Sequence, residues 1–179
     1  MSHPWHDVEL PAELDERFPV VIEIPQGSKN KYELDLKTGL LRVDRVLFSA
    51  VHYPVNYGFV PQTIGEDKDP VDVLVLGQDP IVPLAIVDAR AIGGLEMRDE
   101  HGIDAKIIAV HVNDPAVREY QGLEDLPNHT MLEIRRFFED YKVLEGKAVS
   151  LGGLLSRDQA LALVREGAGR YRDAHPRKK

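Results

Sequence analysis

Short apolar segments separated by turn residues fill the first two thirds of the chain. In residues 31–36, apolar and charged side chains alternate, which is typical of a half-buried β-strand. The other strand candidates are residues 19–24, 40–47, 71–76, 81–92 and 105–112. Strands of this length and spacing favour an antiparallel barrel or sandwich.

The hydrophobic period changes in the last third of the chain, where two helices are predicted. The three-and-four spacing of a helix face relates Met131, Ile134, Phe138 and Tyr141, and likewise Leu161, Val164, Ala168 and Tyr171. Thr130 with Glu133 fits a capping box for the first helix, and Gly146 fits its end. Ser156 with Gln159 repeats the start signal. The pattern therefore predicts an α+β fold, a small barrel with two C-terminal helices packed on it.

Length and composition predict one compact domain over residues 1–179. Of these residues 43% are apolar and 29% are charged, which is an ordinary globular balance. We expect residues 1–16 to form a loosely held arm or a short helix, and residues 172–179 to be frayed. No run approaches the roughly 18 apolar residues of a membrane helix, so we expect no membrane partner. Because the N-terminal segment is acidic and lacks an apolar run, we do not expect it to be a signal peptide.

The cysteine count and the net charge restrict the cellular locations and the classes of binding partner that the sequence favours. The chain has no cysteine, which excludes a disulfide framework and a thiolate metal site and agrees with a cytoplasmic location. A formal net charge of -8 disfavours general nucleic-acid binding, because an acidic protein repels polyanions. Metal cations become plausible partners for the same reason.

An acidic stretch, "GEDKDPVDVLVLG" in residues 65–77, stands at the mouth of an apolar strand. Asp67, Asp69 and Asp72 either cap that strand in a solvated turn or bind a cation. Pro70 stiffens the turn, and crowded carboxylates repel one another unless protons or cations neutralise them. Hard cations such as Mg²⁺ accept these oxygen ligands. An EF-hand is excluded, because its sixth and twelfth positions would be Asp72 and Gln78.

A second acidic turn, "RDEHGIDAK", holds Asp99, Glu100 and Asp104, with His101 inside it. By itself it is more typical of a hairpin loop, but together with the first turn it is a candidate for the other side of a metal cluster. Asp104 and Lys106 are two positions apart in an extended segment, so they share a face.

Further polar groups lie on potentially inward faces. Charged examples are Glu23, Lys31, Glu33 and Arg45, which are costly to bury unless they are paired. Hydroxyl, amide and ammonium groups come from Tyr53, Asn56, Tyr57, Tyr141 and Lys142. Each of these residues alone is explained by a salt bridge or by core packing, whereas the set indicates a cavity that holds both cations and an anion.

The ordered motifs resemble those of the soluble family I inorganic pyrophosphatases, and the length resembles the bacterial type. The motifs are "IEIPQGSKNKYELD", "VDR", "YPVNYGF", "DKDPVDVLVL", "DEHGIDAK" and "FFEDYK", which together span roughly residues 19–146. The resemblance implies an OB-like barrel flanked by helices, and hydrolysis of inorganic diphosphate to two phosphates by a water activated by Mg²⁺. It also implies a homohexamer.

The resemblance carries specific roles to residues of this chain. Asp69 is the implied general base. The implied metal ligands are Asp67, Asp72 and Asp104, with Asp99 and Glu33 at further metal positions. The implied phosphate contacts are Lys31, Arg45, Tyr57, Tyr141 and Lys142. Glu23, Tyr53 and Lys106 match supporting positions.

Two departures from the family pattern and two rival functions accompany this reading. Lys68 stands where a small or polar residue, often glycine, is usual, and the tryptophan common after the pair Gly146–Lys147 is missing. The rivals are a non-catalytic metal- or phosphate-binding protein on the same scaffold and an oligonucleotide-binding barrel. The second would need a basic groove lined by aromatic residues, and the net charge has the wrong sign for it.

Overall fold

The computed structural model describes residues 2–99 and 102–176, and within these ranges it contains nine β-strands and two α-helices. The strands are β1 Arg17–Ile24, β2 Asn30–Leu34, β3 Leu41–Val46, β4 Asn56–Phe59, β5 Asp72–Leu76, β6 Ile86–Asp99, β7 Gly102–Ile103, β8 Lys106–His111 and β9 Ser150–Leu155. The helices are α1 Asn128–Asp140 and α2 Arg157–Ala174.

Five strands close into a ring, which confirms the predicted barrel. Strand β1 pairs with both β4 and β6, and the ring continues from β4 through β5 and β8 to β6. Four of these five pairings are antiparallel, but β5 and β8 are parallel, so the expectation of a wholly antiparallel barrel is wrong at this point. Parallel neighbours need a long crossover, and here β6 and β7 lie between them in the chain. Strands β2 and β3 form a separate hairpin.

Strand β5 is covered on both faces because alternate side chains point to opposite sides of a strand. Leu74 and Leu76 belong to the hydrophobic cluster that also contains Ile134, Phe137 and Phe138 of α1. Val73 and Val75 belong to a second cluster, which includes Ala160, Leu161 and Val164 of α2. The acidic residues that precede β5 are therefore attached to one of the best buried strands of the fold.

The two helices differ in how well their starts were predicted. Helix α1 begins at Asn128, which is two residues before Thr130, and Pro127 occupies the N-cap position. The predicted capping box of Thr130 and Glu133 is therefore wrong. Proline commonly marks the start of a helix because its φ angle is fixed near the helical value. The helix ends at Asp140, and Gly146 instead ends a 3-10 turn that follows, with a φ of 71°. The capping box of Ser156 and Gln159 in α2 is confirmed.

Four strands differ from the sequence pattern. Strand β6 begins at Ile86 and not at residue 81, and Pro83, which has no N–H group to donate, lies in the excluded part. Strands β4, β7 and β9 were not predicted. Strand β9 contains Gly152 and Gly153, which weaken its hydrophobic alternation, and its partner is β6.

The N-terminal segment is held more firmly than the expected loose arm. Trp5 is buried, and its indole N–H donates a hydrogen bond to the Thr63 carbonyl at 2.9 Å. The Trp5 and Tyr171 rings meet edge to face, with their centroids 5.4 Å apart. Helix α2 continues to Ala174, so Arg172 and Asp173 are helical and not part of a frayed tail. In the part of the chain that the structure describes, neither helix has the length and apolar character to cross a membrane.

Candidate active site

A cleft of about 600 Å³ opens between the β2–β3 hairpin, the acidic stretch before β5 and the end of α1. The predicted site residues that line it are Glu23, Lys31, Glu33, Arg45, Tyr53, Tyr57, Asp67, Asp69, Asp72, Asp104, Lys106, Tyr141 and Lys142. Strand β6 ends at Asp99, whose side chain is outside the described structure, and Glu100 and His101 also lie outside the described residues. The fold therefore brings together thirteen predicted residues that are spread over 120 positions of the chain.

The acidic loop, residues 65–72, is a tight turn. The Gly65 N–H donates to the Asp69 carbonyl at 2.6 Å, and the Asp69 N–H donates to Asp67 Oδ1 at 3.1 Å. Lys68 lies between the two aspartates with a φ of 76°, a left-handed conformation that glycine or asparagine adopts more easily. Its side chain is exposed at the rim of the cleft.

The carboxylates of this loop raise one another's pKa. Partial burial raises the pKa of Asp67, and the neighbouring charges of Asp72 and Asp69 add to the effect, although a backbone hydrogen bond opposes it. Burial, Asp72 and Glu33 together raise the pKa of Asp69. Crowded carboxylates of this kind favour a bound cation.

Lys106 neutralises part of this charge. The parallel register places Ile107 opposite Val73, so Lys106 at the start of β8 lies beside Asp72 at the start of β5. Its buried ammonium contacts Asp72 and lies 2.6 Å from Asp104 Oδ1. Burial acts to lower the pKa of Lys106, but the two carboxylates outweigh it and raise the pKa above its ordinary value. Burial raises the pKa of Asp104 to about 6 despite the opposing charge of Lys106.

Glu23 is a buried carboxyl group on the floor of the cleft. Its Oε1 accepts a hydrogen bond from the Leu34 N–H at 2.7 Å, which ties β1 to the β2–β3 hairpin. Burial, followed by the charge of Asp72, raises the pKa of Glu23 to about 8. Glu23 is therefore predominantly protonated at neutral pH in the structure described.

The cationic side of the cleft comes from the β2–β3 hairpin, where Lys31 and Arg45 are direct cross-strand partners. Lys31 contacts Glu33, which confirms that these residues share a face, and it lies 3.5 Å from Asp44. Arg45 contacts Asp44, and its Nε lies 2.8 Å from Glu145 Oε1. Arg45 Nη2 is buried and has no hydrogen-bond partner among the described residues.

Sequence reasoning missed several residues at this cationic side. Asp44 was inside the quoted motif "VDR" but received no role, although it contacts both cations. Glu145 is separated from Arg45 by 100 positions, so no local pattern could pair them. Lys147 also lines the cleft, and its place directly after Gly146 was noted only for the missing tryptophan.

Tyrosine hydroxyl groups line the cleft between the acidic and cationic parts. Burial raises the pKa of Tyr53 and of Tyr57 well above the ordinary tyrosine value, and nearby Asp72 adds to both shifts. Burial also raises the pKa of Tyr141, although Lys106 and Lys142 oppose it. These hydroxyl groups therefore stay protonated and can donate hydrogen bonds to an anion.

The donor set fits a hard cation in its chemistry. Asp67, Asp72 and Asp104 supply oxygen ligands of the kind that Mg²⁺ prefers. Burial raises the pKa of Asp67 and of Asp104, and the nearby charge of Asp72 adds to both shifts. Among the side chains that the structure describes, which do not include that of Asp99, no three acidic or histidine groups stand close enough to coordinate one ion as placed. Lys106 lies between Asp72 and Asp104 in this arrangement.

The cleft at the mouth of the barrel combines crowded carboxylates with cationic and hydroxyl donors. This combination is typical of a protein that binds an anion together with metal cations. Comparisons with known proteins make this class specific. A profile of the inorganic pyrophosphatase family matches residues 20–172. The chain is 50% identical to soluble inorganic pyrophosphatase 1 of Arabidopsis thaliana over 170 residues, which cover 95% of this chain and 80% of that protein. It is 48% identical to soluble inorganic pyrophosphatase 2 of Chlamydomonas reinhardtii, over 99% of this chain and 93% of that one.

A solved structure agrees with these sequence relatives. The crystal structure of the inorganic pyrophosphatase from Thermus thermophilus superposes with a TM-score of 0.91 at 41% identity, covering 96% of this chain and 99% of that chain. The chain belongs to the inorganic pyrophosphatase family. The family resemblance and the OB-like fold are thereby confirmed. The sequence relatives named above come from a plant and a green alga, so the bacterial type stays a prediction.

Proposed function

We propose that this chain hydrolyses inorganic diphosphate to two phosphates in an Mg²⁺-dependent reaction, with Asp69 as the general base. The observation that carries the proposal is the cleft itself, which collects the acidic loop and the pair of Lys31 and Arg45 in one cavity. Membership in the inorganic pyrophosphatase family supports the choice of substrate.

Mg²⁺ would be held by Asp67, Asp72 and Asp104, with Glu33 and Asp99 at further positions. When bound, it would offset the charge of the substrate and make water a stronger nucleophile at neutral pH. The remaining steps belong to side chains of this chain.

Substrate binding is assigned to the cationic and hydroxyl groups of the cleft. Arg45 is held in place by Asp44 and Glu145, and as a residue of the cleft wall it is assigned to a phosphoryl oxygen of the substrate. Lys31, Lys142, Tyr57 and Tyr141 add donors around the same anion. Such preorganised donors stabilise the charge that develops on the phosphoryl oxygens.

Proton transfer is assigned to Asp69. As the oxygen of the attacking water bonds to phosphorus, the Asp69 carboxylate accepts its proton, the bridging P–O bond breaks, and the electron pair stays on the departing phosphate. The raised pKa of Asp69, caused by burial and by Asp72, favours a base that works closer to neutral pH. Although neighbouring groups of the cleft crowd Asp69, part of its side chain remains exposed, so it can return the proton to solvent. Glu23, Tyr53 and Lys106 are assigned to holding the ligand side chains of the cleft in position.

We also propose a domain organisation, an oligomeric state and a cellular location for this chain. We expect the whole chain to act as one domain, because both helices share hydrophobic clusters with the barrel strands. Overlap with 99% of the Thermus thermophilus chain supports the bacterial type, and a homohexamer follows by analogy with that type. The cysteine-free sequence agrees with a cytoplasmic location. Light scattering would test the hexamer, since the protomer mass is 20.1 kDa.

A phosphate-release assay with diphosphate and Mg²⁺ tests the function. We expect turnover with Mg²⁺, loss of turnover in excess chelator, and recovery when Mg²⁺ is added back. A protein that binds Mg²⁺ and diphosphate but releases no phosphate would instead be the non-catalytic binding protein on the same scaffold. Full activity in excess chelator would exclude the metal-dependent mechanism.

A further inference from the structure

Helix α2 is hydrogen-bonded to the residue that directly precedes the acidic loop. Ile64 directly precedes that loop, and both of its backbone polar groups are bonded to α2. The Ile64 N–H donates to the Gly167 carbonyl at 3.0 Å, and the Ile64 carbonyl accepts a hydrogen bond from Arg170 Nε at 2.7 Å. The residue directly before the loop is therefore held by a helix that contributes no residue to the cleft described above.

The neighbouring residues are anchored in the same way. The Thr63 carbonyl accepts the Trp5 indole N–H, and the Thr63 hydroxyl accepts the Val71 N–H at 3.0 Å on the far side of the loop. The Gln62 N–H donates to the Trp5 carbonyl at 2.9 Å. Residues 62–64, which precede the acidic loop, are thus hydrogen-bonded to Trp5, to α2 and to Val71 near the other end of the loop.

Helix α2 lies close enough to transmit its position to the loop. A Cβ atom on Gly167 would lie 2.7 Å from Val71 Cγ2 and 3.3 Å from the Ile64 carbonyl oxygen, so only glycine permits this approach. Arg170 also lines a small cavity of about 50 Å³ behind the loop, together with Asp67, Asp72 and Asp104.

We propose that Arg170 is a positioning residue, which holds the acidic loop through the Ile64 carbonyl and thereby sets the affinity of the site for Mg²⁺. Arg170 does not touch the substrate, and it acts through the backbone that carries Asp67 and Asp69. The inference rests on the proposed function only in naming Mg²⁺ as the cation. Groups that hold metal ligands in place typically contribute about 10–100-fold to metal affinity or activity.

Three substitutions separate the hydrogen bond from the charge. Arg170→Gln places an amide nitrogen at the position of Nε, so it keeps the donor and loses the charge. Arg170→Met places a methyl group there and loses both. Arg170→Lys keeps the charge but places a methylene group at the position of Nε.

Arg165 provides the matched control on the same helix. Its Nε and Nη2 donate to the Leu14 carbonyl, at 3.3 and 3.0 Å, so Arg165→Met also removes an arginine bond from α2 to a backbone carbonyl. The difference is that Leu14 does not lead into the acidic loop.

The experiment is a calorimetric titration of Mg²⁺ into each purified full-length variant, far below its melting temperature. We expect Arg170→Met to bind Mg²⁺ about tenfold more weakly or worse, Arg170→Gln to restore most of the affinity, and Arg165→Met to bind like the parent. Equal affinity in the parent and Arg170→Met would overturn the proposal, as would rescue by lysine but not by glutamine. If Arg170→Met does not fold, the Mg²⁺ affinities of Arg170→Gln and Arg170→Lys are compared instead. Tighter binding by Arg170→Gln would support the proposal, and tighter binding by Arg170→Lys would overturn it. Failure of the parent itself to bind Mg²⁺ would count against the proposed function, not against the role of Arg170 in holding the loop.

Discussion

Lys106 donates hydrogen bonds to both carboxylate oxygens of Asp104, at 2.6 and 2.7 Å, and it also contacts Asp72. Its ammonium thus supplies a positive charge between two residues that are proposed to bind Mg²⁺. Burial raises the pKa of Asp104 in spite of this partner, and the neighbouring charge of Asp72 adds to the effect. Lys106 and the proposed Mg²⁺ therefore both place positive charge beside the same two carboxylates, Asp72 and Asp104.

Removing Lys106 should destabilise the fold most when Mg²⁺ is absent. Lys106→Met leaves Asp72 and Asp104 partly buried without a cation, and breaking a buried pair in this way costs about 3–5 kcal/mol. Urea denaturation in chelator and in Mg²⁺ measures the effect, and we expect the loss to be smaller in Mg²⁺. Lys37→Met, in an exposed turn, is the control. An equal loss in both conditions would show that Mg²⁺ does not bind beside these carboxylates.

Much of this site could be predicted because its residues stand next to strong local signals. The acidic loop precedes the apolar run of β5, and the alternation in residues 31–36 places Lys31 and Glu33 on one face, where the structure pairs them. Of the predicted stripe, Ile134 and Phe138 in α1 and Tyr141 directly after it are buried, whereas Met131 is half-buried.

What the sequence could not predict depends on contacts between distant residues. No periodicity indicates that β8 runs parallel to β5, yet that register places Lys106 beside Asp72. The ion pair of Arg45 with Glu145 and the bonds from α2 to Ile64 likewise join segments about 100 positions apart. The wrong capping box in α1 has a different cause, since Pro127 starts the helix before Thr130 can do so.

Lys68 should have little influence on Mg²⁺ affinity but a measurable influence on stability. Its φ of 76° costs a non-glycine residue about 1–2 kcal/mol relative to the ordinary helical region. Asparagine tolerates this conformation better, so Lys68→Asn should raise the free energy of unfolding. Because the lysine side chain is exposed, Lys68→Gly should change Mg²⁺ affinity by less than about tenfold, or 1.4 kcal/mol. A larger gain in a Mg²⁺ titration would mean that the ammonium faces the metal site.

The pH dependence of stability should report on Glu23. Its pKa is raised from 4.5 to about 8 in the folded chain, chiefly by burial, so the folded state binds a proton that the unfolded state releases. Stability from this group is fully present below pH 4.5 and is lost as the pH rises towards about 8. Glu23→Gln keeps an acceptor for the Leu34 N–H and cannot ionise. Chemical denaturation in chelator between these two pH values should give a flatter profile for the variant than for the parent, and parallel profiles would contradict the buried neutral carboxyl group.

The roles of Asp69 and Asp72 should separate in a pair of variants. Asp72 begins a buried strand and is proposed to bind Mg²⁺, so Asp72→Ala should weaken Mg²⁺ binding and turnover together. Asp69→Asn keeps the size of the side chain but removes the oxygen that accepts the proton. We therefore expect Mg²⁺ binding to persist while turnover falls by about 10²–10⁴.

Metal titrations and pH–rate profiles on both variants test this separation. Part of the loss in Asp69→Asn should be recovered at higher pH, where the attacking water ionises without a base, and no such recovery is expected for Asp72→Ala at limiting Mg²⁺. The Asp69 N–H bond to Asp67 Oδ1 comes from the backbone and survives the substitution, so the loop should keep its shape. If Asp69→Asn hydrolyses diphosphate like the parent at neutral pH, Asp69 is not the general base, and the proton must leave by another group of the cleft.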